Sequence, residues 1–213
     1  IPDTIYFKDT QSRFLRGIAI ATLVVVVLLN FVGYRTSEII VDKLQTTEAM
    51  ANFYGLVTGI ANLIMLPFQL FLLSRIIGWI GVGNAFMLFP IGNLAICAGL
   101  VFLPGLPTAA LGYFGSTALY GNVGYQINSL LYNAVPLRIK GRARAFIDGL
   151  VAPVGAFLGS ILLLPPFVAA GWFLPAFILA LAVSYIANTL IVRRQYGRAL
   201  VKMLEQEDYS FLL

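Results

Sequence analysis

The chain has 213 residues, 60% of them hydrophobic and 11% charged, with a mean hydropathy of +0.89. A water-soluble domain is about a quarter charged, because its surface must face water, so this composition excludes one and calls for lipid. The net charge of +5 and isoelectric point near 9.5 do not make a nucleic-acid binder, because the basic residues cluster at the ends of apolar runs, which is a topology signal. Histidine is absent and Cys97 is the single cysteine. That excludes an internal disulfide, zinc sites built on His or Cys, and His-based acid–base triads; Cys97 reads as a small packing residue. The chain begins at Ile1 with no signal-peptide layout, and is expected to be a piece of a longer polypeptide.

A membrane-spanning helix needs about 20 mostly apolar residues. After a cytoplasmic segment at 1–16, the first span is expected at about 17–34, around the uncharged run Val24 to Leu29. A polar stretch from Arg35 to Asn52 follows, in which Ile39-Ile40-Val41 can extend the first helix. The second span is expected at about 53–73, closed by Ser74-Arg75, and the third at 82–103, after a glycine-rich turn. Pro104-Gly-Leu-Pro107 is a turn, because proline blocks helix continuation. The fourth span covers about 108–135, and the loop Pro136 to Arg144 separates it from the fifth at 145–164, which ends at Pro165-Pro166. The sixth runs over 172–192 to Arg193-Arg194, leaving 193–213 as a cytoplasmic tail or linker.

Charge gives an independent check on this layout. With both termini inside, the cytoplasmic segments hold Lys8, Arg13, Arg16, Arg75, Arg138, Lys140, Arg142, Arg144, Arg193, Arg194, Arg198 and Lys202. Of the 14 basic residues only Arg35 and Lys43 fall outside, as the positive-inside rule requires. The fold class expected is therefore an all-α membrane protein of six transmembrane helices with both termini cytoplasmic.

No Lys, Arg, Asp or Glu lies in the middle of an expected span, which removes the carboxylates that proton relays keep at depth. Uncharged polar residues concentrate in the fourth span. At about 100° per residue, Asn122, Gln126, Ser129 and Asn133 fall within a sector of roughly 60°, with Tyr125 beside it. A stripe of amides is costly against lipid. Two readings stay open: the lining of a substrate pathway, or hydrogen bonding between helices. Asn30 and Gln69 are further pathway candidates, although they, like Asn62, Asn84, Asn93 and Asn188, also read as packing contacts. Gly55-x-x-x-Gly59 and Gly155-x-x-x-Gly159 allow close helix approach. At the inner start of the fifth helix, Asp148 follows Arg144 by four residues. The pair reads either as a helix-terminal ion pair or, with Arg75 and Arg142, as a cytoplasmic gate.

Six helices with both ends inside is the size of one half of a major-facilitator transporter, in which two such halves enclose a central site. The stretch Phe53-Tyr-Gly-Leu, Gln69-Leu-Phe-Leu, Arg75-Ile-Ile and Gly81-Val-Gly83 resembles the second and third helices of that superfamily's second half. The loop Arg138-Ile-Lys140-Gly141-Arg142-Ala143, with Asp148 and Gly159-Ser160, is similar to the basic loop of the ATP/ADP nucleotide translocases and their bacterial relatives. In those proteins the aspartate lies nearer the loop glycine and a lysine precedes the glycine–serine pair, where this chain has Val154 to Leu158. Their phosphate-gripping charges have no counterpart within these spans. The resemblance thus implies the major-facilitator half bundle and a bacterial inner membrane, but not a nucleotide substrate.

The leading expectation is half of an alternating-access secondary carrier for a small solute, with the lipid bilayer and a second six-helix bundle as partners. The alternative is a non-transporting membrane subunit or anchor in a larger complex. Enzymatic activity, a cofactor, a metal and nucleic acid are not expected.

Overall fold

The computed structural model describes residues 2–165 and 172–210, with side chains over 12–136, 139–165 and 172–201. Among the described residues all regular secondary structure is helical and there is no strand. Six helical runs follow one another: α1 (Pro2–Leu44), α2 (Thr47–Ile80), α3 (Val82–Phe102), α4 (106–131), α5 (137–162) and α6 (Phe173–Ser210). Among the described residues, five helical segments are long and apolar enough to cross a membrane: Ser12–Leu44, Thr47–Ile80, Val82–Phe102, Ile139–Leu162 and Phe173–Val201. The protein is accordingly an integral membrane protein. The run expected as the fourth span, α4, is not among the five, since the amides and hydroxyls between Tyr113 and Ser129 dilute its apolar content.

Three boundaries differ from those read in the sequence. The expected N-terminal segment is helical from Pro2, and α1 continues past Tyr34 to Leu44. Ile39 and Ile40 are buried there, and Arg35 closes on Glu38 at 2.6 Å one turn on. The expected basic loop is helix from Leu137 onward, because only Gly141 interrupts a run of good helix formers after Pro136. The expected tail continues α6 to Ser210; its Leu, Lys, Met, Arg and Glu residues favour helix and no proline stops it. The outer connection after Pro165, the last residues 211–213, and the side chains of Lys8, Arg138 and Lys202 lie outside the described residues.

The connections are short. Thr46 caps α2, its hydroxyl accepting from the Ala49 amide at 3.3 Å. Gly81, at φ 76° and ψ 158°, joins α2 to α3 in a backbone region essentially closed to residues with a side chain. Thr108 fastens the start of α4, its hydroxyl donating to the Leu103 carbonyl at 2.9 Å and accepting from the Gly105 amide at 3.1 Å.

Three helices widen to π geometry. In α2 the segment Phe68–Leu72 follows Pro67, whose missing N–H breaks the regular ladder. In α5 the segment Ile147–Val151 precedes Pro153, which cannot donate to the Gly149 carbonyl. In α4 the segment Gly115–Gly124 begins where Ser116 and Thr117 donate their hydroxyls back to Gly112 and Tyr113 carbonyls at 3.0 and 2.6 Å. Those bonds compete for the acceptors of the α-helical ladder.

α1 is central and packs on α6, α5 and α4; α4 packs on α3 and α1 and less on α2, and α3 packs on α6 as well. Exchanging the first three helices with the last three leaves this pattern of main contacts unchanged. One core cluster joins Phe14 and Ile18 to Phe86, Ile127, Leu131 and Val192. A second, at the other end, joins Leu28, Phe31 and Val32 to Cys97, Leu100 and Ile178. The two Gly-x-x-x-Gly motifs behave differently. A methyl on Gly155 would lie 3.2 Å from the Leu23 carbonyl oxygen and one on Gly159 would lie 3.1 Å from Asn30, whereas Gly55 and Gly59 have nothing within 4 Å. Only the second motif brings two helices of this chain, α1 and α5, together.

Candidate functional site

α4 carries two opposed faces. Gly112, Ala118, Val123, Gly124, Ile127 and Leu131 are buried against the bundle. Thr117, Gly121, Tyr125, Gln126 and Asn133 are exposed on the other side, with Asn122 and Ser129 half-buried. The polar strip foreseen in the sequence therefore points away from the bundle's own core. The flanking helices α2 and α5 present apolar residues outward, among them Leu56, Leu63, Leu66 and Leu70 on one and Phe146, Leu150 and Phe157 on the other. The strip is a polar band between two greasy walls.

On the α2 side, Thr58 donates to the Tyr113 hydroxyl at 3.4 Å and the Tyr54 and Tyr113 rings lie 5.0 Å apart. Within the strip, Ser129 turns its hydroxyl back to the Gln126 carbonyl at 2.7 Å. Among the described residues, the side-chain amides of Asn122 and Gln126 have no hydrogen-bond partner. Asn133, in the 3₁₀ turn after α4, accepts from Lys140 Nζ at 2.8 Å. On the α5 side, Tyr125 meets Arg144 and Asp148. Arg144 Nη2 donates to the phenol oxygen at 3.0 Å, the phenol donates to Asp148 Oδ2 at 3.4 Å, and the guanidinium carbon stands 5.5 Å from the ring centre.

The structure thus gathers Asn122, Tyr125, Gln126, Ser129 and Asn133 on one face. Asn30 is not with them. It lies on α1, donates to the Val26 carbonyl of its own helix at 2.9 Å and packs on Gly159, so it is a contact between α1 and α5. Gln69 sits half-buried in the π segment of α2 without a hydrogen-bond partner among the described residues. Of the four residues grouped as a gate, only Arg144 and Asp148 meet, at 3.4 Å and four residues apart on one helix. Arg75 on α2 and Arg142 on α5 are exposed, and neither forms an ion pair among the described residues.

A smaller feature was not read from the sequence. Behind α4, Ala21, Thr22, Val25, Phe86, Tyr120, Gly124, Asn128 and Tyr185 line a small open-mouthed pocket. The Thr22 hydroxyl is buried there with no partner among the described residues. Asn128 was visible as part of the polar content of α4, but Thr22 and Tyr185 lie singly in apolar runs whose helical phase alone does not bring them together.

The chemistry on offer is hydrogen bonding by neutral amides, phenols and hydroxyls, with Lys140 and Arg144 at one end. No group of three His, Cys, Asp or Glu side chains converges among the described residues. Compared with known proteins, the chain matches no protein-family model, no curated protein and no solved structure.

Proposed function

We propose that this chain is one half of an alternating-access carrier for a small solute, with the strip on α4 lining the pathway and a second six-helix bundle closing it. The observation that carries this reading is the exposed polar strip between the apolar faces of α2 and α5. An amide facing hydrocarbon without a hydrogen bond costs roughly 2–7 kcal/mol. The unpartnered amides of Asn122 and Gln126 together make a lipid-facing strip untenable for a protein of ordinary stability. Helix-to-helix hydrogen bonding within the chain, the competing reading, does not engage these two residues. What meets the strip is water, solute or a polar partner face, while the apolar walls beside it suit lipid or a second bundle.

Three further features support the reading. The set of helix pairs that pack together is the one that two interchangeable three-helix repeats, as in major-facilitator halves, would give. With α4 as a sixth crossing, every described cytoplasmic end is basic and both termini are inside. Trp79 and Trp172, both strongly exposed, then mark opposite membrane interfaces, where indole rings concentrate.

The test is uptake. Sealed vesicles bearing the full-length gene product are screened with radiolabelled sugars, amino acids, nucleosides and organic anions. The reading expects at least one to accumulate above vesicles lacking the protein, and expects N122A/Q126A to reduce that uptake at least tenfold. No accumulation of any class would leave the membrane scaffold as the better account.

A further inference from the structure

The ion pair, which the sequence offers either as a helix-terminal pair or as part of a gate, cannot by itself hold two helices together, because Arg144 and Asp148 both belong to α5. Their 3.4 Å separation is also long, and both side chains are about two-fifths exposed, where such pairs contribute little. The shorter contact in the cluster runs between helices, from Arg144 Nη2 on α5 to the phenol of Tyr125 on α4 at 3.0 Å. The guanidinium also lies within cation–π range of the same ring. Tyr125 is thus the cross-helix element, and Asp148 orients Arg144 and accepts a longer hydrogen bond from the phenol.

The surroundings give this tie something to restrain. Immediately beyond Arg144, α5 enters its π segment Ile147–Val151, a wide turn of the kind found at functional bends. Past it, α5 is fixed to α1 by the close approach at Gly155 and Gly159. The inner end of α5, 137–146, is held to α4 by the Tyr125–Arg144 contact and, at the connecting turn, by Lys140 on Asn133.

We infer that Tyr125 is the positioning residue of a cytoplasmic latch, holding the inner end of α5 against the polar strip and releasing it when the Arg144 contact breaks. This inference rests on the carrier reading above, and its test separates the two. A reporter cysteine at Gly121 suits the purpose: that site is exposed, a side chain there meets nothing within 4 Å, and it lies one turn from Tyr125 on α4. The native Cys97 is fully buried and contributes little background.

The full-length protein carrying G121C is labelled with a membrane-impermeant maleimide in vesicles of either orientation. Adding Tyr125→Phe, which keeps the ring and removes the hydroxyl, should raise the labelling rate from the cytoplasmic face roughly tenfold and lower it from the outer face, the ratio expected for losing one charged hydrogen bond. Arg144→Gln should act in the same direction, and Asp148→Asn should change either rate less than about threefold. Opposite shifts on the two faces are the signature of a latch. Equal rises on both faces, as from simple loosening, would overturn it. Unchanged rates in both variants, with the parent labelled, would overturn the latch and leave the carrier reading standing. A parent labelled from neither face would overturn both.

Discussion

The contrast between the two Gly-x-x-x-Gly motifs is a sharp test of the packing. In Gly155→Ala the new methyl meets the Leu23 carbonyl oxygen at 3.2 Å and the Val26 Cβ at 3.3 Å; in Gly159→Ala it meets Asn30 at 3.1 Å. The first neighbour is backbone, so α1 itself must move. Overpacking of this kind costs roughly 1–3 kcal/mol, against a helix-propensity gain of roughly 0.5–1 kcal/mol on replacing glycine. The balance for G155A is a loss of about 1 kcal/mol. Gly55→Ala and Gly59→Ala meet nothing within 4 Å, so only the gain remains and the sign reverses. At about 2–4 °C per kcal/mol for a chain of this size, G155A should lower the apparent melting midpoint in detergent by a few degrees, and G55A should raise it slightly. The assay is thermal unfolding at a fixed heating rate, which keeps midpoints comparable when unfolding is irreversible. If G155A and G55A shift the midpoint in the same direction by the same amount, α1 and α5 do not approach as described.

Two other contacts lead to expectations of the same kind. Asn188 on α6 donates to the Gly17 carbonyl of α1 at 3.1 Å, and Asn188→Leu should cost about 0.6 kcal/mol, the usual value of such bonds between membrane helices, measured by the same melts. Gly81→Ala places a side chain at φ 76° and should cost roughly 1–3 kcal/mol, whereas Gly78→Ala, in regular helix where a methyl meets nothing within 4 Å, should give a small gain.

The sequence alone disclosed the membrane class and most of the helix positions, because the apolar runs and the Lys and Arg residues beside them obey separate rules that agree. It also disclosed the strip, since Asn122, Gln126, Ser129 and Asn133 share a helical phase that survives the end of the π segment, in which Asn122 itself lies. It did not disclose where that face points. An amide stripe reads identically whether it meets a neighbour or an opening, and only the packing of α4 on α3 and α1 decides. Asn30 shows the converse: a lone amide in an apolar helix, it proves to be a contact opposite Gly159, which phase within α1 could not reveal. The basic segment after Pro136 looks like a loop by its charge, but its helix formers outweigh that and it folds as helix. Tyr125 was grouped with the strip, but its tie to Arg144 joins residues 19 apart on two helices, beyond the reach of local spacing.

The central claim, that the α4 strip faces water rather than lipid, is tested most directly by thiol accessibility at four positions. Cysteines are placed singly at Asn122 and Gln126 on the strip, and at Leu63 and Phe157 on the flanking walls, in membranes bearing the full-length protein. Each is reacted with a membrane-impermeant maleimide. The account predicts that the strip positions react at least tenfold faster than the wall positions. Strip cysteines as unreactive as those at 63 and 157 would contradict it.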